Sequence, residues 1–124
     1  MLTILKSKEH EIMLFIWQNE DTGVAFSEIH NYVNGIGNPL ARQTVNTYIQ
    51  RLIQKKFVKA EGEERHKIYY PVIPKKDYDS ALAKDVVDQL YDGSLQKFIS
   101  ALTGNRSLSE KEIKELKTIL QKRG

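Results

Sequence analysis

The chain contains no cysteine. That absence excludes disulfides, thiolate metal sites and a cysteine nucleophile. Long apolar runs are missing too. The N-terminal one, from Ile12 to Trp17 in "MLTILKSKEHEIMLFIWQNE", is too short to cross a membrane. No small-residue cleavage site follows it, so neither a secretory leader nor a membrane partner is expected, and a cytoplasmic location fits. His10, His30 and His66 stand without ligand spacing, so no metal site is expected. No nucleophile–base pair or glycine-rich phosphate loop is present, which leaves catalysis and a cofactor without support.

The most informative absence is local. Residues 38–60 carry Arg42, Arg51, Lys55, Lys56 and Lys59 but not one Asp or Glu, in a chain that has 16 acids. Residues 1–37 hold 2 basic and 5 acidic side chains, and residues 77–124 balance 8 against 8. The net charge of +3 is mild, but its positive part is concentrated in one segment. Such clustering is what a surface for a polyanion looks like.

With 124 residues, 40% of them hydrophobic, the chain can bury a core without staples. A first helix is expected from Ser7 to Gln18, with Ser7 as N-cap and Glu9 and Glu11 in its first turn. Its apolar residues run nearly all round, which predicts cover on more than one side. "NEDTG" breaks it, and a shorter helix follows from Ser27 to Asn34. Gly35, Gly37 and Pro39 punctuate the chain before a third helix, from Leu40 to Lys56. "FVKAE" and "HKIYYPV" then read as two strands joined by "GEER", a hairpin with a basic tip. Pro71 and Pro74 close this part.

Residues 75–124 differ in pattern. Tyr78, Leu82, Val86 and Leu90 recur at four-residue spacing, and Leu95, Phe98, Ile99 and Leu102 fall at i, i+3, i+4 and i+7. Ile113, Leu116 and Leu120 follow a capping box, with Ser109 as N-cap and Glu112 three residues on. Three amphipathic helices with one apolar stripe each need cover. Folding back on the N-terminal part would supply it, but pairing with a second chain is the preferred expectation.

The third helix divides cleanly at 100° per residue. Val45, Tyr48, Ile49, Leu52 and Ile53 share the side suited to packing. Arg42, Gln43, Asn46, Thr47, Gln50, Arg51 and Gln54 share the other. Arginine can pair with the guanine edge, glutamine and asparagine with the adenine edge, and a threonine methyl with that of thymine. A solvated face that lacks acids by chance is the alternative. The short helix before it, and the hairpin after it with Arg65, His66 and Lys67 near the tip, favour nucleic acid. That combination is the winged helix-turn-helix arrangement, mainly α with a small β-hairpin wing.

Four stretches also resemble a known family. The N-terminal helix ends in "IW", "RQTVNTYIQRLIQKK" stands in the place of a recognition helix, Arg65 precedes "IYYP", and "LYDGSL" runs from Leu90 to Leu95. In these the chain is similar to the penicillinase and methicillin-resistance repressors and their copper-responsive relatives. The resemblance implies a bacterial, dimeric winged-helix repressor, with residues 1–74 binding DNA and a helical dimerisation region over residues 75–124. It further implies Gln43, Thr44, Asn46 and Thr47 as base readers, with Arg51 and Arg65 on the DNA backbone. Helix geometry adds Arg42 to the base readers, and Lys55, His66 and Lys67 are expected at phosphates.

This chain departs from the family at several positions. Lys56 and Glu64 stand where the family often has glycines. Ala101-Leu102 occupies the place of the Asn-Phe bond that is cut in β-lactam-responsive members, and the cysteines of the copper-responsive members are missing. A signal-transducing protease partner therefore stays unidentified, as does the inducing signal. The expected function is a homodimeric repressor on an inverted-repeat operator, with double-stranded DNA and a second copy of the chain as partners. The rival is a winged-helix module for protein contact within a larger assembly, whose binding would depend little on salt.

Overall fold

The computed structural model describes residues 3–35, 40–104 and 107–123. Gly37 and Pro39, expected as punctuation, lie outside them. The chain divides into two compact units, Met1–Leu82 and Ala83–Gly124.

The first unit is built around α1 (Ser7–Gln18). Ile12, Met13, Ile16 and Trp17 are buried, and Leu14 and Phe15 pack partly against the same core. An all-round apolar helix needs neighbours on several sides, and α1 touches α2 (Phe26–Asn34), α3 (Arg42–Gln54) and β3 (Ile68–Pro71). The N-cap of α1 is Lys6 rather than Ser7. Its N–H donates to Glu9 Oε1 at 3.3 Å, so the side chain of the third helical residue satisfies an end of the helix that the Ser7 hydroxyl does not.

The hairpin is present as β2 (Val58–Glu61) and β3, paired antiparallel with Ala60 opposite Tyr69. A third strand, which local pattern does not predict, joins it. β1 (Val24–Ala25) pairs with the other edge of β3, Val24 opposite Tyr69, giving the order β1-β3-β2. Two residues are too few for an alternating pattern to be read from sequence. Gly23 makes the approach possible: it has φ +71°, and a Cβ there would sit 2.4 Å from Ile68 Cγ2. Three helices with this small sheet, β1 lying between α1 and α2 and the β2–β3 hairpin following α3, form a winged helix.

The end of α3 sets the direction of the wing. Lys56 N–H donates to Ile53 O at 3.0 Å and Phe57 N–H to Leu52 O at 2.9 Å. This is a Schellman ending, with Lys56 in the left-handed conformation at φ 68°. The lysine adopts the geometry a glycine would favour, so the helix exit is preserved at some cost in strain. Phe57 lies outside β2 and is fully buried at this corner.

The first turn of α4 (Lys75–Leu90) belongs to the same core. The Tyr78 ring packs among Phe57, Trp17 and His10, and its hydroxyl accepts the Leu5 N–H at 2.8 Å. Trp17 Nε1–H donates to Ile73 O at 2.8 Å. Each side chain of this size contributes about 1.5–3 kcal/mol when buried, so these contacts secure the chain ends of the unit.

The second unit contains the later part of α4, then α5 (Leu95–Thr103) and α6 (Glu110–Arg123). Asp92 and Gly93, at φ 55° and 72°, turn the chain at "YDG". Ser94 Oγ accepts from Lys97 N–H at 3.1 Å to cap α5. The capping box of α6 forms as its sequence predicts: Glu112 N–H reaches Ser109 Oγ at 3.1 Å, and Ser109 N–H reaches Glu112 Oε1 at 2.9 Å. Apolar cover is scarce, with Leu90, Leu95, Leu102, Ile119 and Leu120 all more than half exposed.

Candidate nucleic-acid interface

On α3, Val45, Ile49 and Leu52 have no exposed surface, and Tyr48 and Ile53 are half-buried against the core. Arg42, Gln43, Thr44, Asn46, Thr47, Gln50, Arg51 and Gln54 are all exposed. The helix therefore presents one continuous polar face without a carboxylate. Thr47 Oγ1 donates to Gln43 O at 3.0 Å, which leaves its methyl and its oxygen lone pairs for an outside partner. The Arg51 guanidinium lies 5.8 Å from the Tyr48 ring centroid.

Two side chains on α2 fix how α3 begins. Asn34 Oδ1 accepts the Leu40 N–H at 3.0 Å, and His30 Nε2 lies 3.1 Å from Leu40 O. Asn34 Nδ2 approaches the same His30 nitrogen at 3.3 Å. Sequence reasoning did not single out Asn34. Its partner is a backbone group six positions along, and no side-chain pattern marks that kind of contact.

The wing tip folds on Gly62, which has φ +100° and whose added Cβ would lie 2.7 Å from His66 O. Positive φ in the wing thus falls on Gly62, so Glu64 occupies its position without that strain. Arg65 and His66 are exposed and Lys67 is half-buried. A cleft of about 680 Å³ opens between the start of α2, the first turns of α3 and the wing, and Arg42, Gln43, Asn46, Arg65, His66 and Lys67 line it. Glu64 also lines it, as its one carboxylate among the described residues. Burial raises the pKa of the Tyr69 phenol, at the back of the same cleft.

Lys55 does not join this surface as a free cation. Its Nζ lies 2.7 Å from Oε1 of Glu9, a buried carboxylate on α1. Burial would lift the Glu9 pKa. The Lys55 hydrogen bond, the Lys6 N–H and the charges of Lys55 and Arg51 outweigh it and hold the carboxyl below its usual value. The sequence placed Lys55 at a phosphate because helix periodicity says nothing about a carboxylate arriving from another helix. Lys59 is exposed, 3.5 Å from Glu61 and over the Tyr70 ring at 5.7 Å.

A basic, acid-free helix backed by a wing is shared by many regulators, and the match along the chain decides among them. The family model for the penicillinase repressor covers residues 5–122. The chain belongs to the penicillinase repressor family. It is similar to the methicillin resistance regulatory protein MecI of Mammaliicoccus sciuri, 25% identical over 121 residues, which is 96% of this chain and 94% of that protein. The penicillinase repressor of Staphylococcus aureus is 28% identical over 114 residues, 90% of this chain and 86% of its own. Among solved structures, monomeric Bacillus licheniformis BlaI in complex with the blaP half-operator matches at a TM-score of 0.51. That match has 26% identity and covers 63% of this chain and 94% of that one. As a member of the family the chain is a transcriptional repressor and not an enzyme. Among the described residues, no helix is long and apolar enough to cross a membrane.

Proposed function

We propose that this repressor acts in the cytoplasm as a homodimer that occupies an inverted-repeat operator, each α3 lying in the major groove of one half-site. The observation that carries this reading is the exposed polar face of α3, without a carboxylate, at the mouth of a cleft shared with the wing. Gln43, Thr44, Asn46 and Thr47 are assigned to base edges, with Arg42 beside them. Arg51, Arg65, His66 and Lys67 are assigned to the sugar-phosphate backbone, where cations supply salt-sensitive affinity and no sequence choice. The BlaI complex with a half-operator supports this by family likeness.

Dimerisation is assigned to the tail. Leu90, Leu95, Leu102 and Leu120 are each at least 63% exposed, and Ile113 and Leu116 are exposed beside them. A second copy would remove that apolar surface from water at about 25 cal/mol per Å². Val86, Phe98 and Ile99 are half-buried and are assigned to the same interface, whereas Leu82 packs partly against the core of the first unit. Residues 1–74, completed by Tyr78, would then bind DNA, and the helices beyond would join two subunits. Ala101-Leu102 stands where the family's cut bond would be, so no cleavage by a signal-transducing protease is assigned to that bond.

The test is selection of duplexes from a random library, followed by fluorescence anisotropy of the selected and a scrambled duplex across a salt series. Recovery of an inverted repeat, bound selectively with a steep salt slope, is the expected result. Weak binding, equal on both duplexes and flat with salt, would favour a protein-contact module instead.

A further inference from the structure

Arg42 and Phe26 come from different helices and meet at the edge of the cleft. The guanidinium carbon of Arg42 lies 4.7 Å from the centroid of the Phe26 ring. A guanidinium over an aromatic face is held by cation–π attraction, and stacking of this kind limits the rotation of a long side chain. A guanidinium that meets a ring through one of its faces keeps its in-plane N–H donors free at the edges. No carboxylate competes for them, since Arg42 forms no ion pair among the described residues, although Glu64 lines the same cleft.

The aromatic platform is itself anchored. On its own helix the Phe26 ring stacks on His30 at 6.1 Å with planes 12° apart. His30 is tied to Leu40 O, just before α3 begins. Phe26 also packs partly against the core. The ring under Arg42 is therefore held from the same backbone that launches the helix carrying Arg42.

Arg42 is the first residue of α3, in the part of a recognition helix that meets base edges. A cation meant only for phosphate gains little from being fixed, because a mobile lysine serves as well. A planar fork held at one angle suits the paired acceptors O6 and N7 of guanine. We propose that Phe26 is a positioning residue, holding Arg42 so that it reads one guanine at a fixed place in each half-site. This inference rests on the operator-binding reading above.

The test uses the full-length protein and the duplex recovered by selection, with each base pair of one half-site replaced in turn. Binding is measured for the wild type and for Phe26→Leu, Phe26→Trp and Arg42→Lys. Wild type should show one G·C pair whose replacement weakens binding about tenfold or more, the scale of one bidentate arginine–guanine pair. Phe26→Leu and Arg42→Lys should each flatten the profile at that pair and leave the others standing, and Phe26→Trp should keep it. A Phe26→Leu profile like that of the wild type would overturn the inference. So would an even loss across all positions and the scrambled duplex, which marks a packing defect, or a selective wild type whose profile Arg42→Lys leaves untouched. A wild type that discriminates at no position would remove the operator reading itself, and the inference with it.

Discussion

Glu9 and Lys55 join the start of α1 to the end of α3 through a 2.7 Å contact between Oε1 and Nζ. The carboxylate is 1% exposed and the lysine 27%, so the pair is shielded on its acidic side and wetted on its basic side. It holds the exit of α3 against the helix at the centre of the core. Removing one partner would strand the other, which is costlier than losing an exposed surface pair.

Lys55→Ala should therefore lower stability by about 2–3 kcal/mol, at or below the lower end of the roughly 3–5 kcal/mol for broken buried pairs because the ammonium is partly wetted. Urea denaturation measures this. The salt slope for DNA should stay as in the wild type, whereas a flatter slope on an intact fold would return Lys55 to the phosphate surface.

The same pair sets an acid dependence. Despite burial, the Glu9 pKa lies lower in the native state than its ordinary value, chiefly through Lys55. A carboxyl so depressed contributes fully above its unfolded value and loses that contribution as pH falls through the native one. Wild type should thus lose Tm more steeply than Glu9→Gln as pH falls below the ordinary carboxyl value of 4.5. Parallel curves would show that Glu9 contributes no linkage.

Lys56→Gly relieves a left-handed residue at the end of α3. The substitution gives up unfolded-state restriction but removes native strain, for a net gain of up to about 1 kcal/mol. A higher urea midpoint with unchanged slope is the expected result. A lower midpoint would mean that contacts of the Lys56 side chain outweigh the strain.

Asn46→Ala should cost about 1–3 kcal/mol at one base pair of the selected operator and relax preference there. Anisotropy with singly substituted duplexes reads this. An equal loss on operator and scrambled DNA would move Asn46 from the bases to the backbone.

Leu90→Glu combined with Leu120→Glu should shift the molecule toward monomer in sedimentation and weaken binding to the inverted repeat more than to a single half-site. Each exposed leucine is asked to supply about 1.5–3 kcal/mol of burial in the dimer. An unchanged mass would place the subunit contact elsewhere.

Much of the chain was legible from local pattern. The ranges of α1 and α2, the hairpin and the capping box of α6 depend on periodicity and on residues within one turn of each other, and those patterns are written along the chain. The faces of α3 were legible for the same reason: Val45, Ile49 and Leu52 turn inward and the amides outward. Other features needed the third dimension. β1 exists because Gly23 lets the chain approach Ile68, Tyr78 completes a core from beyond the expected boundary, and the Lys55 ammonium meets a carboxylate 46 residues away. The platform of Phe26 under Arg42 belongs with these. By itself the sequence determined which helices and which hairpin form, which face of α3 is polar and free of acids, and to which family the chain is similar. Only the tertiary structure decided which cation is neutralised and which arginine is held, because a charge or a ring acts through its distance to partners that the fold brings from elsewhere in the chain.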